Sequence, residues 1–244
     1  MKSEIDFKEC LYNEALKIGI ELNDKQLEQF KKYKELLIEW NNVMNLTAIT
    51  DDYEIILKHF IDCLEIVKYI PKSSKVIDIG TGAGFPGVVI SIYFEDKITV
   101  TLLDSLNKRI DFLNEIISKL NLKNIQAIHA RAEEYAHKEE YRECYDIAVS
   151  RAVAPLNILL EYDTPYIKIN GKALLLKGNN LDEEIKKSKN ALSILNSRIS
   201  NIYKYNYSVN DEVYSRNILE ITKLKDSPKK YPRNYGKIKK NPLN

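Results

Sequence analysis

The feature that most constrains this chain is the stretch from Val76 to Gly87, in which four positions are glycine. A short apolar run before the first glycine predicts a β-strand, and an apolar run after the last predicts a helix. Glycines at such a junction allow a tight turn and let a ligand approach the backbone closely. Gly82, Gly84 and Gly87 also match the dinucleotide pattern G-x-G-x-x-G, which is weak evidence alone. The segment therefore predicts a nucleoside-binding loop in an α/β protein.

From residue 71 onwards, short apolar runs alternate with helical patterns, which indicates a largely parallel sheet. The predicted strands are 75–79, 98–103, 124–128, 145–149, 172–177, 201–207 and 213–224. The predicted helices between them are 86–94, 106–121, 155–168 and 181–197. The last two strands flank a turn signal at Val209 to Glu212, which is typical of an antiparallel pair. The expected fold is α/β, with a seven-stranded, mostly parallel sheet and an antiparallel last strand.

The two ends of the chain differ from this alternating region. Apolar residues recur at three- and four-residue steps through residues 3–70, which predicts an N-terminal helical cap. Residues 223–240 hold eight basic residues and one acid, interrupted by tyrosines, a composition suited to phosphate contacts and base stacking. A merely solubilising tail has a similar composition, so that alternative stays open. We divide the chain into a helical cap (1–70), an α/β domain (71–225) and a basic tail (226–244).

Two acidic residues near the glycine segment bear on which nucleoside it binds. Asp104, 20 residues past Gly84, ends the second predicted strand, where a carboxylate can accept hydrogen bonds from both hydroxyls of a ribose. Asp78 lies two residues before Gly80. We expect its carboxylate beside the ligand, where it would repel a pyrophosphate and favour a cation such as S-adenosylmethionine. No lysine follows the glycines, which excludes a P-loop nucleotide triphosphatase.

The methyl acceptor is expected at the carboxyl edge of the sheet, where open α/β sheets bind ligands. Residues 150–155, after the fourth predicted strand, lack the Asp/Asn-Pro-Pro-aromatic sequence of amino-group methyltransferases and any cysteine that could attack a pyrimidine. A ring nitrogen such as guanine N7 needs neither, because its lone pair carries no proton to be removed. A guanidinium bound across O6 and N7 would block that lone pair. We therefore expect Arg131 and Arg151 to hold phosphate or O6.

Together, these segments resemble a known family, the bacterial guanine-N7 methyltransferases of 16S ribosomal RNA (RsmG, also called GidB). The likeness is carried by residues 40–41, 45–47, 58–62, 78–87, 102–109, 131–133, 150–152, 174–178 and 231–243. The acidic and glycine-rich form of residues 78–87, with Asp104 closing the next strand, is similar to the first two motifs of class I methyltransferases. The tail departs at Ile238, where many members of the family have a proline.

The resemblance implies a class I, S-adenosylmethionine-dependent methyltransferase that modifies guanine N7 in the 530-loop region of 16S rRNA, without metal. Combined with the reasoning on the glycine segment and its two acids, the resemblance gives these expected cofactor-binding residues: Asp78, Gly80, Gly82, Phe85, Asp104, Ala132, Glu133 and Arg151. The expected catalytic residues are Arg131, Arg151 and Lys177. The expected RNA-binding residues are Lys177, Arg233 and Lys239. The resemblance makes His59 a pocket-lining candidate, and whether His59 and Lys177 act in chemistry or in positioning stays open.

Composition restricts the class of protein further. Hydrophobic residues make up 44% of the chain and Gly plus Pro only 15 of 244, which excludes a disordered or collagenous chain. The three cysteines are far apart and the sequence has neither an apolar span nor a signal segment, so we expect a cytoplasmic monomer without a metal or membrane partner. Three alternatives remain: a class I methyltransferase of a small molecule or protein, a nicotinamide dehydrogenase, and a non-catalytic RNA-binding module.

Overall fold

The computed structural model of the protein describes residues 6–209 and 212–244. Within them, seven strands form one sheet in the order β3-β2-β1-β4-β5-β7-β6. They are β1 (Lys75–Ile79), β2 (Thr99–Asp104), β3 (Ile125–His129), β4 (Tyr145–Arg151), β5 (Ile167–Lys177), β6 (Ser197–Val209) and β7 (Glu212–Lys223). The first five strands are parallel and β7 is antiparallel to both of its neighbours, which confirms the predicted sheet. Residues 210 and 211 of the predicted turn lie outside the described residues.

Helices cover both faces of this sheet. Those in the described residues are α1 (Phe7–Lys17), α2 (Asp24–Asn41), α3 (Asp52–Ile55), α4 (Asp62–Leu64), α5 (Gly87–Phe94), α6 (Asn107–Lys119), α7 (Ala132–Tyr135), α8 (Leu156–Asp163), α9 (Leu181–Lys187), α10 (Lys189–Ile194) and α11 (Tyr235–Lys240). A π-helical turn, Ile56–Ile61, joins α3 to α4. Single π-helical turns often occur at functional sites because they redirect side chains.

The N-terminal helices share one hydrophobic core with α5, α6 and one face of the sheet. Helix α2 begins at a capping box, in which Asn23 accepts from the backbone N–H of Gln26 and the Gln26 side chain accepts from that of Asn23. Two and three turns into this helix, Phe30 and Tyr33 face inward, where both rings lie near Phe60 in the buried core. The predicted helical cap is therefore one layer of the packed molecule.

The other face of the sheet is covered by α7 to α11, and the C-terminal segment is part of that layer. Tyr231, Ile238 and Leu243 are buried in the same hydrophobic core as Leu156 and Leu160 of α8. Ile238, the position at which the sequence departs from its apparent family, is fully buried. These apolar side chains anchor the predicted basic tail (226–244) to the sheet layer.

Several predicted element boundaries shift for local reasons. The N-terminal region is not helical throughout: residues 18–23 and 42–51 are loops, and the first begins beside Gly19, whose φ of +74° ends α1. The predicted helix over 181–197 is two helices that meet at Ser188. Strand β5 begins at Ile167 and β6 at Ser197, earlier than predicted, because polar and exposed residues follow each of these buried first residues and interrupt the apolar pattern.

Candidate cofactor and acceptor site

The glycine loop, residues 80–87, lies across the carboxyl end of β1 and against β2. The backbone N–H groups of Gly80 and Thr81 donate to the Leu103 carbonyl at 2.8 and 3.1 Å, which fixes the beginning of the loop on the neighbouring strand. Gly80 has a φ of +67°, and a Cβ built there would lie 2.9 Å from Cγ2 of Val153. The residue is therefore glycine both for its conformation and for the close approach of the chain after β4.

The carboxyl group of Asp78 holds the glycine loop from beneath. Its Oδ2 accepts from the Thr81 hydroxyl at 2.6 Å and from the backbone N–H of Gly87 at 2.7 Å, and the residue is fully buried. Burial raises the pKa of this carboxyl to about 7. We expected Asp78 beside the ligand, but the glycine loop covers its carboxyl group, which is fully buried and bonded to Thr81 and Gly87. Its interactions make Asp78 a residue that shapes the loop.

Asp104 lies at the carboxyl end of β2, as predicted. Its Oδ2 accepts from the backbone N–H of Gly82 at 2.9 Å and from Nη1 of Arg109 at 3.1 Å, while Oδ1 accepts from the backbone N–H of Leu106 at 2.9 Å. Gly82 thus contacts the acid through its backbone. A carboxylate has about four acceptor positions, so one remains free and displacing Arg109 would free a second. The two together match the two hydroxyls of a ribose.

A cavity of about 400 Å³ opens beside Asp104 at the carboxyl edge of the sheet. The residues that line it come from the ends of β1 to β4, from α8 and from α11. Five expected site residues lie on it together with Lys239: Gly80, Asp104, Arg131, Ala132 and Glu133. The cavity spans the place where β1 has β2 on one side and β4 on the other, which is the switch point at which open α/β sheets bind ligands.

The walls of this cavity fit an adenine nucleoside. Leu103, Val153 and Ile158 supply apolar surface for a base, and Asp104 supplies acceptors for a ribose. At the end of β3, the Ala132 carbonyl accepts from the Tyr166 hydroxyl at 2.6 Å, which fixes that part of the wall. This combination of apolar walls with a few convergent polar groups is typical of cofactor sites.

A second group of side chains, the Arg151 cluster, surrounds the end of β4 and consists of Arg151, His59, Asp62, Phe85 and Tyr205. The Arg151 guanidinium donates to the Asp62 carboxylate at 3.2 Å, approaches Nδ1 of His59 at 3.1 Å and lies 4.8 Å from the Phe85 ring centroid. The Tyr205 hydroxyl donates to the other oxygen of Asp62 at 2.8 Å. Four expected cofactor residues do not line the cavity: Asp78 and Gly82, which belong to the glycine-loop structure, and Phe85 and Arg151, which belong to this cluster.

His59 is neutral in the Arg151 cluster. Burial, reinforced by the positive charge of Arg151, lowers the pKa of its imidazole to about 3. Its Nε2 lies 2.9 Å from Oγ1 of Thr47, so a neutral ring with the proton on Nε2 donates to Thr47 and accepts from Arg151 at Nδ1. His59 therefore orients Arg151, and with this pKa it is too weak a base for general-base catalysis at neutral pH.

Lys177 ends β5 beside the cavity and is 8% exposed. Its amino group donates to the Ala154 carbonyl at 2.9 Å and to the Glu184 carboxylate at 2.8 Å. The same carboxylate accepts from the backbone N–H of Leu156 at 2.7 Å. Because Ala154 lines the cavity, these contacts make Lys177 a support of the cavity wall.

The expected RNA-binding residues of the C-terminal segment lie in two different environments. Nε and Nη2 of Arg233 donate to the two oxygens of Glu161 at 2.9 and 2.7 Å, and Glu161 is fully buried. Arg233 therefore anchors the segment to α8. Lys239 and Tyr235 line the cavity instead. Tyr235 was not predicted as a cavity residue, because the only sign of it in the sequence is an aromatic residue among basic ones.

Comparisons with known proteins agree with a nucleoside cofactor site in this cavity. The sequence model of the family described as "rRNA small subunit methyltransferase G" (GidB) matches residues 26–238. This chain belongs to that family. "Ribosomal RNA small subunit methyltransferase G" of Clostridium perfringens (strain 13 / Type A) is 49% identical over 228 residues, covering 93% of this chain and 94% of the relative. The protein of the same name from Acetivibrio thermocellus is 49% identical over 243 residues, covering 99% of each.

Solved structures show the same fold at low sequence identity. M. jannaschii TYW2 in complex with AdoMet is 14% identical, with a TM-score of 0.53 over 67% of this chain and 75% of that one. A SAM-dependent methyltransferase from Aquifex aeolicus is 16% identical, with a TM-score of 0.52 over 79% of this chain and 97% of that one. The predicted family, class I fold, methyltransferase activity and cofactor are confirmed, and the dehydrogenase alternative is wrong.

Two further observations concern the described residues alone. Between residues 6 and 209 and from 212 onwards, no helix is both long and apolar enough to cross a membrane. In the same part of the chain, no group of three or more His, Cys, Asp or Glu side chains is placed to hold a metal ion.

Proposed function

We propose that this chain transfers a methyl group from S-adenosylmethionine to N7 of a guanine in the 530-loop region of 16S rRNA. The main observation behind the proposal is the cavity at the sheet edge, where Gly80, Asp104 and Ala132 lie together. The chain also belongs to the small-subunit rRNA methyltransferase family. The names of its relatives, small-subunit rRNA methyltransferases, support the choice of RNA.

The cofactor residues have distinct proposed roles. When bound, S-adenosylmethionine supplies a methyl group on a positively charged sulfur. Asp104 would accept from the ribose hydroxyls, Gly80 would let the cofactor approach the backbone, and Ala132 and Glu133 would border the adenine, since they follow the next strand. Asp78 acts indirectly by fixing the loop through Thr81 and Gly87.

The acceptor side needs placement more than proton transfer. Guanine N7 offers a lone pair in the plane of the ring, so aligning it with the methyl group provides the acceleration without a base. The nearby imidazole of His59, with a pKa of about 3, is suited to holding Arg151 and not to taking a proton. Arg151 would then present a fixed positive charge to O6 or a phosphate, and Arg131, 54% exposed at the cavity, would contact phosphate.

The remaining expected residues take supporting roles in this proposal. Lys177 is a positioning residue for the chain around Ala154, and its contact with RNA is not needed. Arg233 is engaged by Glu161, so we do not assign it to RNA. We further propose that the protein acts as a cytoplasmic monomer, in agreement with a ribosomal RNA substrate.

The proposal is tested by incubating the purified protein with labelled S-adenosylmethionine and 30S subunits from cells that lack the gene. Borohydride reduction and aniline cleavage, which map N7-methylguanine, are then read by primer extension along 16S rRNA. We expect one strong new stop, in the 530 loop. Label in protein or in a small-molecule fraction, with none in 16S rRNA, would favour the alternative of a class I methyltransferase with another acceptor.

A further inference from the structure

The C-terminal segment, residues 231–243, contributes two side chains to the wall of the cofactor cavity. Tyr235 and Lys239 line it together with Arg131, Ala132 and Glu133 from the end of β3. Tyr235 is 46% exposed, and the Arg131 guanidinium lies 5.6 Å from its ring centroid. Nζ of Lys239 lies 3.4 Å from the Tyr235 hydroxyl. An aromatic ring between two cations thus borders the cavity.

This aromatic ring is held in place by strong contacts on both sides of it. Before it, the backbone N–H of Arg233 and its guanidinium donate to the buried Glu161 carboxylate. The side chain of Asn234 accepts from the backbone N–H of Lys237 and so caps α11. After it, Ile238 is fully buried. The segment is therefore preorganised, and Tyr235 loses little backbone freedom when a ligand binds.

The position of Tyr235 within the cavity indicates which part of the cofactor it meets. Asp104 marks the ribose, and β3 lies on the outer side of β2, away from β1 and its glycine loop. The residues after β3 therefore border the part of the ligand beyond the ribose, which is the base. Tyr235 lies with those residues, and an aromatic ring beside a cation is well suited to stack on an adenine.

We propose that Tyr235 and Lys239 belong to the cofactor site and cover the adenine of S-adenosylmethionine. The inference rests on the proposed function through the orientation of the cofactor in the cavity. It assigns the C-terminal segment, residues 231–243, to cofactor binding, whereas the basic composition of that segment suggested RNA binding. Tyr235 supplies the stacking surface, and Lys239 fixes the ring from the rim of the cavity.

The test is isothermal titration calorimetry of S-adenosylmethionine and of S-adenosylhomocysteine with the full-length protein. We expect Tyr235→Ala to weaken both ligands on the order of 10-fold, because both carry the same adenosine, and Tyr235→Phe to stay within about twofold of wild type. Lys239→Ala is expected to weaken both by a few-fold, whereas Lys240→Ala, an exposed lysine of the same helix outside the cavity, leaves both unchanged.

Three outcomes would overturn the inference. Unchanged affinity of Tyr235→Ala for both ligands would remove the residue from the site. A loss confined to S-adenosylmethionine would place Tyr235 at the methyl end and not at the adenine. A loss of 16S rRNA binding by Tyr235→Ala and Lys239→Ala in a filter-binding assay, with cofactor affinity intact, would return the segment to RNA. Failure of the wild-type protein to bind either ligand would instead contradict the proposed function itself.

Discussion

The glycine loop and the Arg151 cluster lie on neighbouring strand ends but are built in different ways. The loop is held by backbone groups and two aspartates that lie within 22 residues of their loop partners in the sequence. The Arg151 cluster is held by side chains, and Arg151 bonds to His59 across 92 positions and to Lys58 across 93. The glycine loop is therefore fixed mainly by groups close in the sequence, with one contact from the N-terminal layer, the Tyr33 hydroxyl that donates to the Ala83 carbonyl. The Arg151 cluster forms only when that layer docks.

The two regions also differ in how they treat charge. Burial raises the pKa of Asp78 beneath the loop, which favours the neutral acid. In the Arg151 cluster, burial and Arg151 lower the pKa of His59, which favours the neutral imidazole, while Arg151 and Asp62 remain an ion pair. Beneath the loop the neutral acid of Asp78 is thus favoured, whereas the Arg151 cluster retains a buried ion pair. The acceptor side should accordingly be the more sensitive to loss of a single partner.

The largest expected effect is on stability, from Arg151→Ala. The substitution leaves Asp62, which is 4% exposed, with the Tyr205 hydroxyl and with the more distant Arg216, whose Nε lies 3.8 Å from Oδ1, but without its closest cation. We expect the free energy of unfolding, measured by urea denaturation, to fall by about 3 kcal/mol, as is typical when one partner of a buried ion pair is removed.

Arg109→Ala is the matched control, because it removes a cation from Asp104 at the edge of the glycine loop. The Arg109 side chain is 37% exposed, and Asp104 keeps two backbone donors, so we expect a loss below about 1 kcal/mol. Combining Arg151→Met with Asp62→Asn removes both charges and is expected to recover part of the loss. An Arg151→Ala protein no less stable than Arg109→Ala would show that the two regions do not differ in this way.

The same contrast explains what could be predicted from the sequence. The strand, glycine loop, helix and Asp104 were predictable because each follows from residues close in the chain. The sequence also placed Arg151 at a strand end, but its partners, Asp62 and Tyr205, lie on other elements and have no spacing rule. Asp78 was misplaced because a sequence pattern does not show on which side of a loop a side chain lies. Tyr235 was missed because burial of Ile238, which fixes its position, depends on the folded layer.

The next effect is on cofactor binding, from Asp104→Ala. The variant loses the acceptor for the ribose hydroxyls and for the N–H groups of Gly82 and Leu106. We expect the dissociation constant for S-adenosylmethionine to rise about 10- to 100-fold in calorimetry, equivalent to about 1–3 kcal/mol. Asp111→Ala, which removes an exposed acid of α6, serves as the control and should leave it unchanged. An unaltered affinity of Asp104→Ala would refute the ribose assignment.

The smallest effect is on the pH dependence of stability, where His59 of the Arg151 cluster and Asp78 beneath the glycine loop contribute with opposite signs. His59 has a pKa of about 3 in the folded protein and of 6.5 in the unfolded chain. Between pH 3 and 6.5 the unfolded chain therefore binds more protons, so His59 lowers the stability of the fold as the pH falls below 6.5. Asp78 has a pKa of about 7 in the folded protein and of 3.8 in the unfolded chain, so it stays protonated in the fold. Its contribution to the free energy of unfolding therefore falls as the pH rises from 3.8 to 7. The two dependences oppose each other in the wild-type protein.

Single variants uncover each dependence. We expect His59→Gln to gain stability relative to wild type as the pH is lowered from 6.5 to 5, and Asp78→Asn to lose it, each by up to about 1.4 kcal/mol per pH unit. The measurement is the free energy of unfolding of the three proteins in urea at several pH values. Carboxylates elsewhere titrate equally in all three, so differences from wild type isolate the two groups. Parallel curves for wild type and His59→Gln would mean that the imidazole is not held neutral, and the acceptor side would then carry one more positive charge beside Arg151.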